Sequence, residues 1–234
     1  MKNNTQKIFN NLFCQYADLE CVKNDIESAY SIIRKCYADK KKTLICGNGG
    51  SASDSEHIVG ELMKGFMLKR PVTSDNKNSS EFLNRIDKIV KTSETEKTEE
   101  IEDNKNGGNI AEMLQEPLRS ISLVSHSSLI TAVGNDISGD MIFAQQVYGY
   151  MDEGDVLIAL STSGNAVNVV NAAVTAKAMN GKVIAVTGET GGTLKEICDT
   201  AIKLPASETY KIQEYTLPVY HALCAMIENE FFDS

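Results

Sequence analysis

Apolar residues recur every three or four positions along residues 6–39. The positions that carry this spacing are Phe9, Leu12, Phe13, Tyr16, Leu19, Val22, Ile26, Ala29, Tyr30 and Ile33. Such spacing is typical of one face of an α-helix, so it predicts one long amphipathic helix or two successive helices. We expect this N-terminal helical arm, taken as residues 1–40, either to pack into the core or to contact another subunit.

From residue 43 onwards, short apolar runs alternate with segments of helical periodicity. Strands are predicted over 43–47, 120–125, 155–161, 182–187 and 200–205, and helices over 51–66, 127–135, 140–150, 165–180, 193–199 and 207–231. Because the strands are continuous apolar runs, they are typical of a parallel sheet covered on both faces. With right-handed crossovers, this predicts an α/β fold, a three-layer αβα sandwich around a parallel, doubly wound sheet. Ligands of such sheets bind at the carboxyl ends of the strands.

Residues 68–118 interrupt this alternation. They include a helical piece at 81–91 and the run TSETEKTEEIEDNKNGG at 92–108, which has one apolar residue in seventeen. That composition is typical of a solvated loop or a disordered segment. We therefore predict a single domain over 1–234, with an insertion at 68–118 that is partly polar and acidic.

Composition and charge restrict the cellular context. The formal net charge of −9 at pH 7 argues against a nucleic-acid-binding face, which usually needs a basic patch. No apolar run approaches the roughly 18–20 residues that span a bilayer, and the N-terminus lacks a signal-peptide core. The six cysteines form no CxxC motif, so we expect small buried side chains rather than disulfides. These features predict a cytoplasmic protein with no nucleic-acid or membrane partner.

The segment CGNGGSAS at 46–53 ends the first predicted strand of the sheet and opens a helix. Glycines allow the backbone to approach an anion, and the N–H groups of the helix point towards it. A P-loop would need a Lys-Ser/Thr pair after the glycines, and a dinucleotide fingerprint would need an acidic residue about 20 positions further on. The Lys-Ser/Thr pair is absent, and the position where the acidic residue would stand falls in the insertion. We reject both nucleotide motifs, which leaves a phosphate loop or a plain tight turn.

A second strand end, LSTSGN at 160–165, carries three adjacent hydroxyl residues: Ser161, Thr162 and Ser163. A helix N-cap needs one hydroxyl. Three hydroxyls with the exposed amides of a helix N-terminus can donate to phosphate oxygens without a cation. This arrangement favours a phosphate site, and it suits an acidic protein whose overall field would repel an anion.

Two of the three histidines have polar partners at helical spacing. His57 and Glu61 are four residues apart and share a helix face, and Gln213 and His221, eight apart, roughly share another. Pro218 lies between the second pair and should kink that helix or start a new segment. The four side chains could form a tetrahedral zinc site, an acid–base pair or two separate surface pairs. The spacing leaves these alternatives open.

The motifs CGNGGSASDSEH…E, LSTSGN and IQEY…VYHALC resemble, in this order, those of the sugar isomerase (SIS) domain family, and most closely its phosphoheptose isomerases. The likeness covers most of the chain except 68–118. It implies an aldose–ketose isomerase that converts sedoheptulose 7-phosphate to D-glycero-D-manno-heptose 7-phosphate through an enediol. It also implies a homotetramer with its sites between subunits, and up to one zinc ion per subunit.

The resemblance carries over to individual positions of this chain. It implies substrate binding by Asn48, Gly49, Gly50, Ser51, Glu61, Asn135, Asp136, Ser161, Thr162, Ser163 and Gln213. The implied metal ligands are His57, Glu61, Gln213 and His221. For the chemistry, our hypothesis is that Glu61 is the base and His221 the acid.

The chain departs from the family pattern at several places. Ala166 stands where the family usually has a serine, which removes one phosphate contact. Residues 124–126 read VSH instead of Thr-Thr-Asp, and Thr216 stands where a histidine is often found. The insertion at 68–118 is longer than in typical members and could cover the site.

The alternative function is a non-catalytic SIS module, of a regulatory or replication-initiation type, that binds a sugar phosphate or a partner protein. A long acidic insertion is the feature that favours it, since such a segment could serve as an interaction arm. The full set of His57, Glu61, Gln213 and His221 favours the enzyme, because a binding module has little need of acid–base groups.

Overall fold

The computed structural model describes residues 1–72, 77–94 and 110–233. The chain divides into two compact units, one formed by Met1–Leu68 with Leu118–Ser234 and the other by Lys69–Pro117. The second unit has nearly the bounds of the predicted insertion at 68–118. Most of the polar run predicted as a solvated or disordered segment, from 95 onwards, lies outside the described residues.

The larger unit is built on a five-stranded sheet. Its strands are β1 (Thr43–Cys46), β2 (Ser120–Ser122), β3 (Val156–Leu160), β4 (Lys182–Thr187) and β5 (Thr200–Lys203). They lie in the order β2-β1-β3-β4-β5, and each neighbouring pair is parallel. The predicted parallel, doubly wound α/β sheet is therefore confirmed. β2 lies on one side of β1 and β3 on the other, so the strand order reverses between β1 and β3. Sheets of this kind bind ligands in the crevice at the carboxyl ends of the two strands where the order reverses.

Ten α-helices are described. They are α1 (Asn3–Gln15), α2 (Lys23–Ala38), α3 (Gly50–Met63), α4 (Lys77–Glu94), α5 (Ile110–Met113), α6 (Ser127–Asp136), α7 (Ile142–Tyr150), α8 (Val167–Ala178), α9 (Leu194–Ile197) and α10 (Thr209–Phe232). Short 3-10 helices occur at Ala17–Val22 and Gly139–Met141. Helices α4 and α5 belong to the smaller unit.

Alternate strand residues enter two separate apolar clusters. Ile45, Ile158 and Ile184 pack in a cluster with α1, α2, α3 and α10. Leu44 and Leu157, one position before the first two, pack in the other cluster with α7 and α8. Because successive side chains of a strand point to opposite faces, helices cover both faces of the sheet. This arrangement is the predicted three-layer sandwich.

The N-terminal segment forms two helices, α1 and α2, joined by the 3-10 helix. Their apolar side chains, such as Phe9, Leu12, Ile26 and Tyr30, are buried in the cluster that also contains α3 and α10. Both helices bury their apolar faces in the core, which is the first of the two roles expected for this segment. Helix α1 is also tied to α10 by a hydrogen bond from Thr5 Oγ1 to Asn229 Oδ1 (3.2 Å).

Helix α10 runs through Pro218 as one element of 24 residues, so the expectation of a new segment at the proline was wrong. The ring removes one backbone hydrogen bond at Pro218. Most residues from Val219 to Asn229 are buried, and this packing outweighs the local cost of the proline.

Two further expectations concern membranes and cysteines. Among the described residues, none of the helices is long and apolar enough to cross a membrane. Cys36, Cys46 and Cys224 are buried as expected. Cys14 and Cys21 are exposed, because they lie on the outer faces of α1 and the 3-10 helix, so the expectation of buried cysteines was wrong for these two.

Candidate active site

The two predicted phosphate loops meet because their strands are neighbours. Cys46, at the end of β1, is in register with Ala159 near the end of β3, so the loops after both strands emerge side by side. Between them is a cavity of about 300 Å³. Its lining residues are Asn48, Gly49, Gly50, Ser51, Leu160, Ser161, Thr162, Ser163, Ala166, Thr209 and Gln213.

Helix dipoles and hydroxyls make this cavity suited to an anion. Helix α3 begins at Gly50 and α8 at Val167, so both helices present their N-termini there. The N-terminus of a helix carries partial positive charge and unpaired N–H groups. Lys and Arg are absent from the lining that the structure describes. Amides and hydroxyls therefore supply the local attraction that a chain of net charge −9 needs.

Glycines at 49 and 50 are required by the loop's geometry. Gly49 has φ 56° and ψ −122°, a conformation open essentially to glycine. At Gly50, an added Cβ would clash with the side-chain amide nitrogen of Gln213. The absence of a side chain at Gly50 thus allows the amide of Gln213, from α10, to lie against the loop.

Neighbouring residues hold both loops in place. The side-chain amides of Asn48 and Asn168 exchange two hydrogen bonds, of 2.9 and 3.0 Å, which fix the orientation of Asn48. The Gly188 N–H, in the loop after β4, donates to the Thr162 carbonyl at 2.9 Å. The hydroxyl-rich loop is therefore supported from the adjacent strand end.

A second group of side chains lies between α3 and α10. His57 Nε2 is 3.1 Å from Glu61 Oε1 and 3.5 Å from His221 Nε2. His57 Nδ1 is 2.9 Å from the Tyr220 hydroxyl, and the Phe66 ring lies 5.5 Å from the His221 ring. We call His57, Glu61 and His221 the acid–base cluster. It brings together three of the four residues that the sequence marked for acid–base or metal chemistry.

The surroundings change the ionisation of several groups. Burial lowers the pKa of His221, and nearby His57 lowers it further, while Glu61 opposes the change. Burial, followed by the charge of Asp54, raises the pKa of Tyr220. Burial also raises the pKa of Asp54, against the opposing effects of Tyr220 and His57. His221 is therefore held mainly as neutral imidazole at pH 7.

The contacts between α3 and α10 run in register. Gln213 meets Gly50, and seven residues later on both helices Tyr220 meets His57. Seven residues of α-helix rise about 10.5 Å. The cavity at Gly50 and the acid–base cluster are thus about 10 Å apart along the same pair of helices.

The structure separates two sets of predicted residues from the rest. Gln213 lies in the cavity at Gly50, a position for substrate binding, rather than within the acid–base cluster. Asn135 and Asp136 form a hydrogen bond with each other (2.7 Å) at the exposed end of α6, and neither lines the described cavity.

Four neighbours of the site had not been predicted: Asp54, Asn168, Thr209 and Tyr220. Asp54 is three residues before His57, so helical spacing could have identified it. Tyr220 is next to His221 and lies about 100° further around the helix, so helical spacing does not indicate it. Asn168 reaches the site by pairing with Asn48, and Thr209 lines the cavity from the start of α10. Nothing in the local sequence indicates either contact.

The spacing of the cluster bears on the predicted zinc ion. Tetrahedral zinc with bonds of about 2.0–2.1 Å separates its ligand atoms by about 3.4 Å. The separations of 3.1 Å and 3.5 Å around His57 Nε2 are close to that value. However, within residues 1–72, 77–94 and 110–233 no group of three or more His, Cys, Asp and Glu is arranged to hold an ion. The two donor pairs around His57 Nε2 therefore have the spacing of zinc ligands, but the described side chains together do not form a zinc site. No catalytic step is assigned to a metal.

Comparisons with known proteins agree with this fold. The sequence profile of the SIS domain matches residues 104–188. The phosphoheptose isomerase of a Nitratiruptor species is 33% identical over 206 residues, which are 88% of this chain and 86% of that protein. The phosphoheptose isomerase structure from Neisseria gonorrhoeae superposes with a TM-score of 0.63 at 26% identity, covering 93% of this chain and 98% of the other. The enzyme from Francisella tularensis gives 0.67 at 25%, covering 92% and 91%.

The parallel sheet and these relatives define a phosphosugar isomerase of the SIS-domain class. Within that class, the chain belongs to the phosphoheptose isomerase family. The homotetramer implied by the resemblance stays a prediction.

Proposed function

We propose that this protein isomerises sedoheptulose 7-phosphate to D-glycero-D-manno-heptose 7-phosphate through an enediol. Its relatives are named for a phosphoheptose substrate. The observation that carries the proposal is that Gln213 meets Gly50 and Tyr220 meets His57 two helical turns further on, which places the cavity and the acid–base cluster about 10 Å apart.

That distance matches the length of a seven-carbon sugar phosphate. An extended chain of single bonds advances about 1.2 Å per bond. From C1 to the phosphorus of a heptose 7-phosphate there are six C–C bonds, one C–O bond and one O–P bond, or about 10 Å. With its phosphate in the cavity, the substrate therefore reaches the acid–base cluster with C1 and C2.

The phosphate end is held by the two loops. The amides at the start of α3 and the hydroxyls of Ser161, Thr162 and Ser163 donate to its oxygens, and Gln213 borders the same cavity. None of these groups takes part in the proton transfers. They hold the reacting carbons next to the base, which makes the transfer effectively intramolecular.

The chemistry needs a base for carbon and an acid for oxygen. Glu61 removes a proton from C1 while the C2 carbonyl oxygen receives a proton from His221, and the enediol forms. Glu61 then returns its proton to C2, and the C1 hydroxyl gives up its proton to His221 as the aldehyde forms. A neutral imidazole, which the lowered pKa of His221 provides, can polarise a carbonyl in this way.

A proton-NMR time course with sedoheptulose 7-phosphate in D2O tests the function. We expect an aldose signal to grow, with deuterium entering at carbon from solvent. The His221→Ala variant should show a strongly reduced rate and retain binding of the sugar phosphate. If the wild-type protein binds the sugar phosphate but forms no aldose, the proposed substrate is wrong.

The zinc ion implied by the resemblance stays a prediction: the donor spacing around His57 Nε2 favours it, whereas no group of three side chains in the described residues is arranged to hold an ion. We expect elemental analysis of the purified protein to find about one zinc per chain, and His57→Ala to lose it. The role of His221 depends on this result, since a nitrogen that binds zinc cannot also deliver a proton. If extensively chelated protein contains no zinc and is fully active, zinc is not needed for the reaction.

A further inference from the structure

Two loops lie back to back at the carboxyl ends of β3 and β4. They are the hydroxyl-rich loop, residues 161–166, and the loop after β4, residues 188–193. A Cβ added to Gly164 or to Gly192 would clash with the backbone of the opposite loop. Because no side chain separates the two backbones, the loop after β4 supports the hydroxyl-rich loop directly.

This contact determines which amides of the hydroxyl-rich loop are free. The Thr162 carbonyl points to the loop after β4, where it accepts the Gly188 N–H at 2.9 Å. The C=O and N–H of a trans peptide point in opposite directions, so the Ser163 N–H points away from that loop. Within the described part of the chain, the N–H groups of Thr162 and Ser163 have no acceptor, and both residues line the cavity. These two amides can therefore donate to an anion in the cavity.

The side chain of Asn165 joins the two loops. Its Oδ1 accepts two hydrogen bonds from Thr193, one from the backbone N–H at 2.8 Å and one from the hydroxyl at 2.9 Å. Its Nδ2 donates to the Ser163 carbonyl at 3.1 Å. A backbone N–H can only donate and a carbonyl can only accept, so these partners fix the orientation of the Asn165 amide.

The backbone of Asn165 fixes the direction of a hydroxyl. The Asn165 N–H donates to Ser163 Oγ at 3.1 Å, so the Ser163 oxygen is an acceptor in this bond. The proton of the Ser163 hydroxyl is left for another acceptor, and it has none among the described residues. Since Ser163 lines the cavity, a phosphate oxygen can be that acceptor.

We propose that Asn165, held by Thr193, is a positioning residue that sets the amides and hydroxyls of residues 161–163 for the phosphate of the substrate. The proposal rests on phosphate binding by this cavity, which is part of the proposed function. Asn165 is not among the described residues that line the cavity, so it acts through its neighbours. Donors that are already in place bind more tightly, because the loop loses little conformational freedom when the phosphate binds.

Asn165→Ala tests this inference, because it removes all three side-chain hydrogen bonds and keeps the backbone N–H. We expect KM for sedoheptulose 7-phosphate to rise about 10-fold, with kcat changed less than about threefold, since binding lost equally from substrate and transition state raises KM alone. Isothermal titration calorimetry with inorganic phosphate should show a Kd raised by a similar factor. A merely structural role would lower the melting temperature and leave the KM of the folded protein unchanged.

Thr193 provides a second pair of variants, which also serves if Asn165→Ala does not fold. Thr193→Val keeps the shape of the side chain and the backbone N–H and removes only the hydroxyl that donates to Asn165. It should raise KM about three- to fivefold. Thr193→Ser keeps the hydroxyl and should have the wild-type KM.

The matched control is Asn171→Ala on α8. This change also removes a side-chain amide, one that donates to the Asp140 carbonyl at 3.0 Å, and it should leave KM and kcat unchanged.

Two results would overturn the inference. The first is that KM and the Kd of inorganic phosphate stay within twofold of the wild type in both Asn165→Ala and Thr193→Val. The second is a fall in kcat at unchanged KM, which would place Asn165 in the chemistry rather than in phosphate binding. Titration with inorganic phosphate needs no turnover. Failure of the proposed reaction would therefore appear separately, as a wild-type protein that binds phosphate and leaves sedoheptulose 7-phosphate unchanged.

Discussion

Replacement of Glu61 by glutamine should lower kcat by about 10²–10⁴-fold, the usual contribution of a positioned general base. The amide has nearly the same size, but it cannot accept the proton from C1. KM should change less than about threefold, because the phosphate is held by the loops at the cavity, two helical turns away. Steady-state kinetics will show the fall in kcat, and proton NMR in D2O should show the same loss in solvent exchange at carbon.

Glu56→Gln is the matched control for this experiment. Glu56 lies on the same helix and is exposed, and its carboxylate accepts a hydrogen bond from Ser125 outside the acid–base cluster. It should retain nearly the wild-type kcat. If Glu61→Gln keeps more than about a tenth of the wild-type kcat, the assignment of Glu61 as base fails.

The sheet could be predicted from the sequence because its strands are continuous apolar runs separated by helical periodicity. All five lie where the pattern placed them, within two or three residues at their ends. The order of the strands was not accessible, since parallel pairing joins segments that are distant along the chain. The course of α10 through Pro218 was also missed, because burial of the residues after the proline decides it.

The site was predicted in part. The loops at 48–51 and 161–163 were recognisable because glycine and hydroxyl residues follow buried strands, and they do line one cavity. The placement of Gln213 depends on the register between α3 and α10, which a single helix does not reveal. Helical spacing put Gln213 and His221 roughly on one face, yet they are more than two turns apart and serve the two ends of the site.

Glu228 should be the residue outside the site whose removal destabilises the protein most. Its side chain is fully buried on α10 and accepts hydrogen bonds from three consecutive backbone N–H groups, those of Phe66 (2.7 Å), Met67 (2.7 Å) and Leu68 (3.0 Å). Each buried donor that loses its acceptor costs about 1–3 kcal/mol. We therefore expect Glu228→Ala to lower the free energy of unfolding by about 3–5 kcal/mol.

Urea unfolding measures this free energy, and a melting temperature lower by about 10 °C should accompany it in a domain of this size. Glu214→Ala is the control, an exposed glutamate on the same helix that should change the free energy of unfolding by less than about 0.5 kcal/mol. Because the Phe66 ring lies against His221, the loss of its anchor should also reduce kcat in whatever protein remains folded at low temperature. If Glu228→Ala is as stable as Glu214→Ala, water replaces the carboxylate without cost, and the three hydrogen bonds do not hold the loop.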